Sequence, residues 1–167
     1  KDGISEIVLN VPAYNPVLLF FGAYEGEVTE APAALADRAE KVLELDSFTL
    51  SSCMATKYPA FGEAVSLEKL TDVAAAYPEM MDCYRYETTF TLTGEEKHVV
   101  LKMDYMSDGA EVFINGTSCG RRIAPDWIYD LTEAVKPGEN ALVIDITATP
   151  ARKVAKFYPP KGPVFSM

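Results

Sequence analysis

Tyr84-Arg-Tyr-Glu-Thr-Thr-Phe-Thr-Leu92, Val99-Val-Leu-Lys-Met-Asp-Tyr105, Ala110-Glu-Val-Phe-Ile-Asn-Gly116 and Ala141-Leu-Val-Ile-Asp-Ile-Thr-Ala-Thr149 decide the fold. In each run apolar or aromatic residues alternate with polar ones. Successive side chains of a strand point to opposite faces, so a period of two buries one face and wets the other. Tyr84, Tyr86, Thr88, Phe90 and Leu92 form one such set, as do Val99, Leu101, Met103 and Tyr105. Ala110, Val112 and Ile114, then Leu142, Ile144, Ile146 and Ala148, form two more. Asn115-Gly116 is a type I′ hairpin signal, because both central residues of that turn need positive φ. The expectation is an all-β, antiparallel β-sandwich carrying one or two short helices.

Outward from these strands the pattern is looser. Leu45–Leu50 alternates like a strand that runs to about Ser52, after a short helical or irregular lead-in from Leu35. Ser66 is placed to cap a helical turn over Leu67–Tyr77, ended by Pro78. Ile7–Val11 and Val17–Phe21 read as a hairpin joined by a proline-bearing loop. Residues 23–34 turn to Gly, Glu, Thr, Pro and Ala and suggest a linker. The expected division is an N-terminal hairpin over 1–22, either the edge of a preceding domain or an addition to the sandwich, and a sandwich over 35–167.

Composition bounds the function. The 167 residues carry a formal net charge of −10, which argues against nucleic acid, whose phosphates call for a basic stripe. The longest apolar run, Val17–Phe21, is too short to cross a bilayer. Three cysteines, Cys53, Cys83 and Cys119, are widely spaced and odd in number, so no disulfide framework is expected. Unpaired thiols favour a reducing, cytoplasmic compartment, with any signal peptide lying outside this stretch.

The order of elements resembles one family. Tyr86–Phe90, Ala110–Gly116, Gly120, Pro125-Asp-Trp-Ile-Tyr-Asp-Leu-Thr132 and Lys136-Pro-Gly-Glu-Asn-Ala-Leu142 are similar to the sugar-binding domain of glycoside hydrolase family two. That domain is a jelly roll of the galactose-binding-like type, found in large bacterial glycosidases. The pair Asp82-Cys83 departs from the pattern, where a small Ser/Gly pair is usual before the tyrosine. Gly162–Met167 resembles a closing strand. The resemblance implies a non-catalytic accessory domain of a bacterial glycoside hydrolase, with carbohydrate and the catalytic barrel of the same polypeptide as partners. The family's catalytic glutamates belong to that barrel, so no catalytic residue is expected here.

Candidate residues for chemistry are few. Trp127 is the sole tryptophan, in the loop-like Arg121–Trp127. An exposed indole face stacks on a sugar ring while charged groups bond its hydroxyls, so Trp127, Asp126 and Arg122 are the expected carbohydrate-binding set. That set applies if the domain binds sugar; packing of the indole in the core or against a partner domain is the favoured reading of Trp127, and Tyr158 is a weaker candidate of the same kind. His98, the only histidine, follows Glu95-Glu-Lys97 and reads as an exposed turn residue. No cofactor is expected; galactose-binding-like sandwiches often carry a structural calcium, for which Asp104 and Asp108 would be the oxygen donors, but solvated turn carboxylates are the favoured reading of that pair. The rival function is a structural module that braces domains or subunits and binds no sugar.

Overall fold

A computed structural model describes residues 7, 19, 21–23, 25, 26, 32–40, 43–70, 72–77, 80, 82–103 and 109–148. Among the described residues, eight strands and two short α-helices follow in the order α1 (Pro32–Asp37), β1 (Phe48–Cys53), β2 (Val65–Leu67), α2 (Val73–Ala76), β3 (Cys83–Leu92), β4 (Val100–Lys102), β5 (Gly109–Ile114), β6 (Thr117–Arg122), β7 (Ile128–Asp130) and β8 (Gly138–Thr147). Six strands make one antiparallel sheet in the order β2-β1-β3-β8-β5-β6, and β4 and β7 pair as a second layer. The expected all-β sandwich is what the chain adopts. Among the described residues no helix is long and apolar enough to cross a membrane.

The strand periodicity explains the layering. Leu50, Tyr86, Ile144 and Val112 sit opposite one another across β1, β3, β8 and β5, in a row on one face of the large sheet. Ala110, Val112, Ile114, Leu142, Ile144 and Phe90 are buried there with Trp127, Tyr129 and Leu131, and Val99, Leu101 and Met103 pack against them. Leu50, Leu67, Val73 and Tyr84 form a second buried group toward β2 and α2. The hydrophobic rows read from the sequence are the rows the sandwich encloses, apart from Tyr105, which lies outside the described residues.

Turns lock the register. Asn115 and Gly116 both take positive φ, 51° and 84°, and join β5 to β6 as the dipeptide foretells. The Asn115 amide donates to the Asn140 side-chain oxygen at 2.9 Å, and the Ala141 backbone N–H donates to the Asn115 side chain at 3.1 Å. Asn140, fully buried, also accepts from the Lys136 backbone N–H and donates to the Lys136 and Gly138 carbonyls. One amide thus satisfies the turn before β8 and tethers the β5–β6 hairpin to it. Thr132 does a similar task elsewhere: its N–H bonds the Asp130 carboxylate, and its hydroxyl accepts from the Val99 N–H.

Several expectations are corrected. Ser66 caps no helix; it lies in β2 opposite Thr49, and the helical turn shortens to Val73–Ala76, with the Asp72 carboxylate accepting from the Ala75 N–H. Pairing with β1 outweighs local helix preference there, because it buries Leu67. The segment 23–34 is not all linker, since α1 starts at Pro32 and lies against β4 and β7. Asp82 takes a φ of 58°, a left-handed conformation that aspartate tolerates, so the departure at Asp82-Cys83 leaves the fold intact. The N-terminal hairpin pairing, Asp104, Asp108, Tyr158 and the closing strand lie outside the described residues.

Replacing Asn140 with alanine should cost about 2–4 kcal/mol, since buried partners lose their bonds without regaining water. Urea unfolding checks this, with exposed Glu139→Ala as a control expected to stay within about 0.5 kcal/mol of the parent.

Candidate functional site

The segment holding the three carbohydrate candidates crosses from β6 to β7. Opposite Val112 and Phe113 the β5–β6 register slips, and Cys119 is the extra residue of the bulge. Gly120 takes a φ of 117°, with open space where a Cβ would stand, so backbone conformation rather than crowding calls for glycine. The bulge re-aims the strand end that carries Arg121 and Arg122. A recess of about 330 Å³ opens there, lined by Cys119, Gly120, Arg121, Arg122, Tyr129 and Asp130.

Arg122 lines this recess and sits over the Tyr129 ring at 5.6 Å, within cation–π range. Tyr129 is buried, and its hydroxyl donates to the Ala110 carbonyl at 3.0 Å. Asp126 is half-buried and does not line the recess. Trp127 is only 7% exposed and belongs to the main core, while its carbonyl accepts from the Met103 N–H. The indole is therefore packed in the core, and the exposed ring face that stacking on a sugar needs is not found. Its ring packs between the layers, because β7 follows at once and draws the residue inside. Of the three candidates, Arg122 alone lines this recess.

The outer face of the large sheet carries a second constellation that sequence reading missed. Arg85, Asp145, Glu111 and Arg121 stand side by side on β3, β8, β5 and β6 in one register line. The Arg85 guanidinium donates twice to Asp145, at 2.7 and 2.8 Å, and the Tyr58 hydroxyl donates to the same carboxylate at 2.8 Å. The Arg85 guanidinium also lies 4.2 Å from the centre of the Phe61 ring. Arg121 and Ser118 both donate to Glu111. Asp145, 5% exposed, is thus paired and hydrogen-bonded, which is what makes its burial tolerable. Only strand pairing joins Tyr58 to Asp145 across 87 positions, and no local motif marks it.

Beyond this network the outer face opens into a shallow groove of about 520 Å³, where Thr49, Ser66, Glu68, Glu87, Thr89 and Val143 are among the lining residues. Among the described residues no cluster of three or more His, Cys, Asp or Glu is placed to hold a metal ion. His98 is exposed, as its turn sequence suggests.

With this geometry in hand, comparison with known proteins locates the fold. It recurs in a rhamnosidase from Novosphingobium sp. PP1Y, with a TM-score of 0.50 and 24% identity, over 65% of this chain and 11% of that one. It recurs in a β-glucuronidase from Bifidobacterium dentium, solved with coumarin-3-O-glucuronide, with a TM-score of 0.50 and 17% identity, over 62% of this chain and 19% of that one. At such identities the likeness is one of fold. These proteins are glycoside hydrolases, and this chain spans a small part of each. No protein-family profile matches the chain, and no curated protein sequence matches it.

Two phenols should titrate late. Burial, and then the hydrogen bond to Asp145, push Tyr58 up to about 12, and burial pushes Tyr129 up to about 12 against the opposing effect of Arg122. Both folded values stand above the ordinary 10.0, so their contribution to stability is whole below pH 10 and fades as pH climbs through about 12. Near-ultraviolet phenolate absorbance should show the late ionisation, and Tyr58→Phe and Tyr129→Phe should each remove one late-titrating group.

Proposed function

We propose that the chain is a non-catalytic accessory sandwich of a larger glycoside hydrolase, orienting glycan beside a catalytic barrel of the same polypeptide. The observation that supports this is the recurrence of the fold as 11% of a rhamnosidase chain and 19% of a β-glucuronidase chain. In this reading sugar is met at the recess beside β6, where the Arg122 guanidinium and the Asp130 carboxylate offer donors and acceptors to ring hydroxyls. Asp126 contributes at most from the flank. Trp127 belongs to the same core cluster as Tyr129, which lines the recess, and does not stack on the ligand.

The cavity lies at the small end of the range for ligand sites and contains two exposed charged residues, Arg121 and Asp130. Affinity is accordingly weak, since a few solvated contacts barely offset the entropy of association. The enclosure of Trp127 favours a second reading, a module that only braces its neighbours.

Calorimetric titration of the chain with L-rhamnose, glucuronate and their short glycosides separates the two. Carbohydrate binding predicts a Kd on the order of millimolar that Arg122→Ala weakens roughly tenfold, with little change in Trp127 fluorescence. Absence of heat across the set, with Arg122→Ala indistinguishable from the parent, would leave the bracing role alone.

A further inference from the structure

Two of the three cysteines come together in the folded chain. Cys53 ends β1, Cys83 begins β3, and the two are direct partners in the antiparallel register. Ser52 turns its carbonyl away from β3 to accept from the Gly62 N–H at 3.0 Å, so Cys53 turns its own N–H and C=O toward β3. In such a hydrogen-bonded pair the Cα atoms stand roughly 5.5 Å apart, inside the span a disulfide bridges. The two stand directly opposite in the ladder, so both side chains point to the same outer face, each close enough to influence the other's ionisation. Cys119 stands apart in the β6 bulge.

We propose that Cys53 and Cys83 form a dithiol–disulfide exchange site that closes into a cross-strand disulfide on reaction with a low-molecular-weight disulfide. One thiol loses its proton and attacks a sulfur of the small disulfide, which breaks and releases one small thiolate. The second cysteine then attacks the protein-side sulfur of the mixed disulfide, the Cys53–Cys83 bond forms, and the second small thiol leaves. Two protons and two electrons pass from the protein to the small disulfide, which is reduced to two thiols.

Position sets the rate. Cys53 and Cys83 are 8% and 5% exposed, and burial raises both thiols above their ordinary value, so attack in the closed fold is slow. Both residues sit at strand ends, however, and opening there disturbs only terminal pairs, those of the β1–β3 ladder and the Cys83–Thr147 end of the β3–β8 ladder. Once formed, the bond closes a covalent loop over β2, α2 and the segment that sets Tyr58 and Phe61 against Arg85. That loop is tied to the sheet more firmly in the oxidised chain.

The test is incubation of the full chain in oxidised and reduced glutathione, followed by acid quenching, alkylation under denaturing conditions and mass spectrometry. The expected product has lost two hydrogens, alkylates at one thiol only, and yields a linked peptide pair containing Cys53 and Cys83. Cys119→Ser should give the same linkage. Oxidation should raise Tm by roughly 5–10 °C, reversed by dithiothreitol. Three alkylated thiols, a stable glutathione adduct without a crosslink, or a linkage to Cys119 overturns the proposal. Cys83→Ser should abolish the linked pair, and if that variant does not fold, the peptide map of the parent chain decides alone.

Discussion

The sandwich is suspended from one interaction, the ten-pair ladder between β3 and β8, running from Cys83 opposite Thr147 to Leu92 opposite Gly138. These strands are the longest in the chain and lie at the middle of the six-stranded sheet. Because their side chains alternate, this single pairing builds two surfaces at once. Tyr84, Tyr86 and Phe90 meet Ile146, Ile144 and Asn140 on the core side, while Arg85 meets Asp145 on the other. A slip of one residue would exchange those surfaces, placing the ion pair in the core and the apolar row in water. The register is thereby held from both faces.

The remaining elements inherit their positions from that ladder. β1 docks on the free edge of β3, and β5 on the free edge of β8, so the apolar rows extend sideways without a break. The Asn115–Asn140 contact then secures the β5–β6 hairpin at the start of β8. The small β4–β7 layer closes over the inner face and carries Trp127, Tyr129 and Leu131 into it. The indole goes to packing for that reason, and the polar recess is left to Arg122 and its neighbours at the β6 bulge. On the outer face the bidentate Arg85–Asp145 pair does more than neutralise charge. It gives Tyr58 and Phe61 something to hold, and with them the connection between β1 and β2.

Local order explains what could be read in advance. β3, β5 and β8 are long enough for a period of two to stand out, and Asn115-Gly116 carries its turn in its own backbone preferences. β2 and β7, at three residues each, hold too few alternations to be recognised. β6, Thr-Ser-Cys-Gly-Arg-Arg, has no apolar row at all and exists because β5 offers it an edge. Ser66 shows the same rule from the other side: a residue suited to capping a helix became a strand residue once Phe48 opposite Leu67 offered a buried contact.

The amino-acid sequence by itself determined the class of fold, the inward face of every long strand and the place of the β5–β6 turn, since these follow from spacing between near neighbours. Tertiary structure alone decided that Trp127 is enclosed, that Arg122 borders a cavity, that Tyr58 reaches Asp145, and that Cys53 and Cys83 stand opposite each other. Each of those depends on which strands lie side by side and in what register. That is a property of pairs distant along the chain, settled by the shared burial of whole rows and not by any residue's own preference.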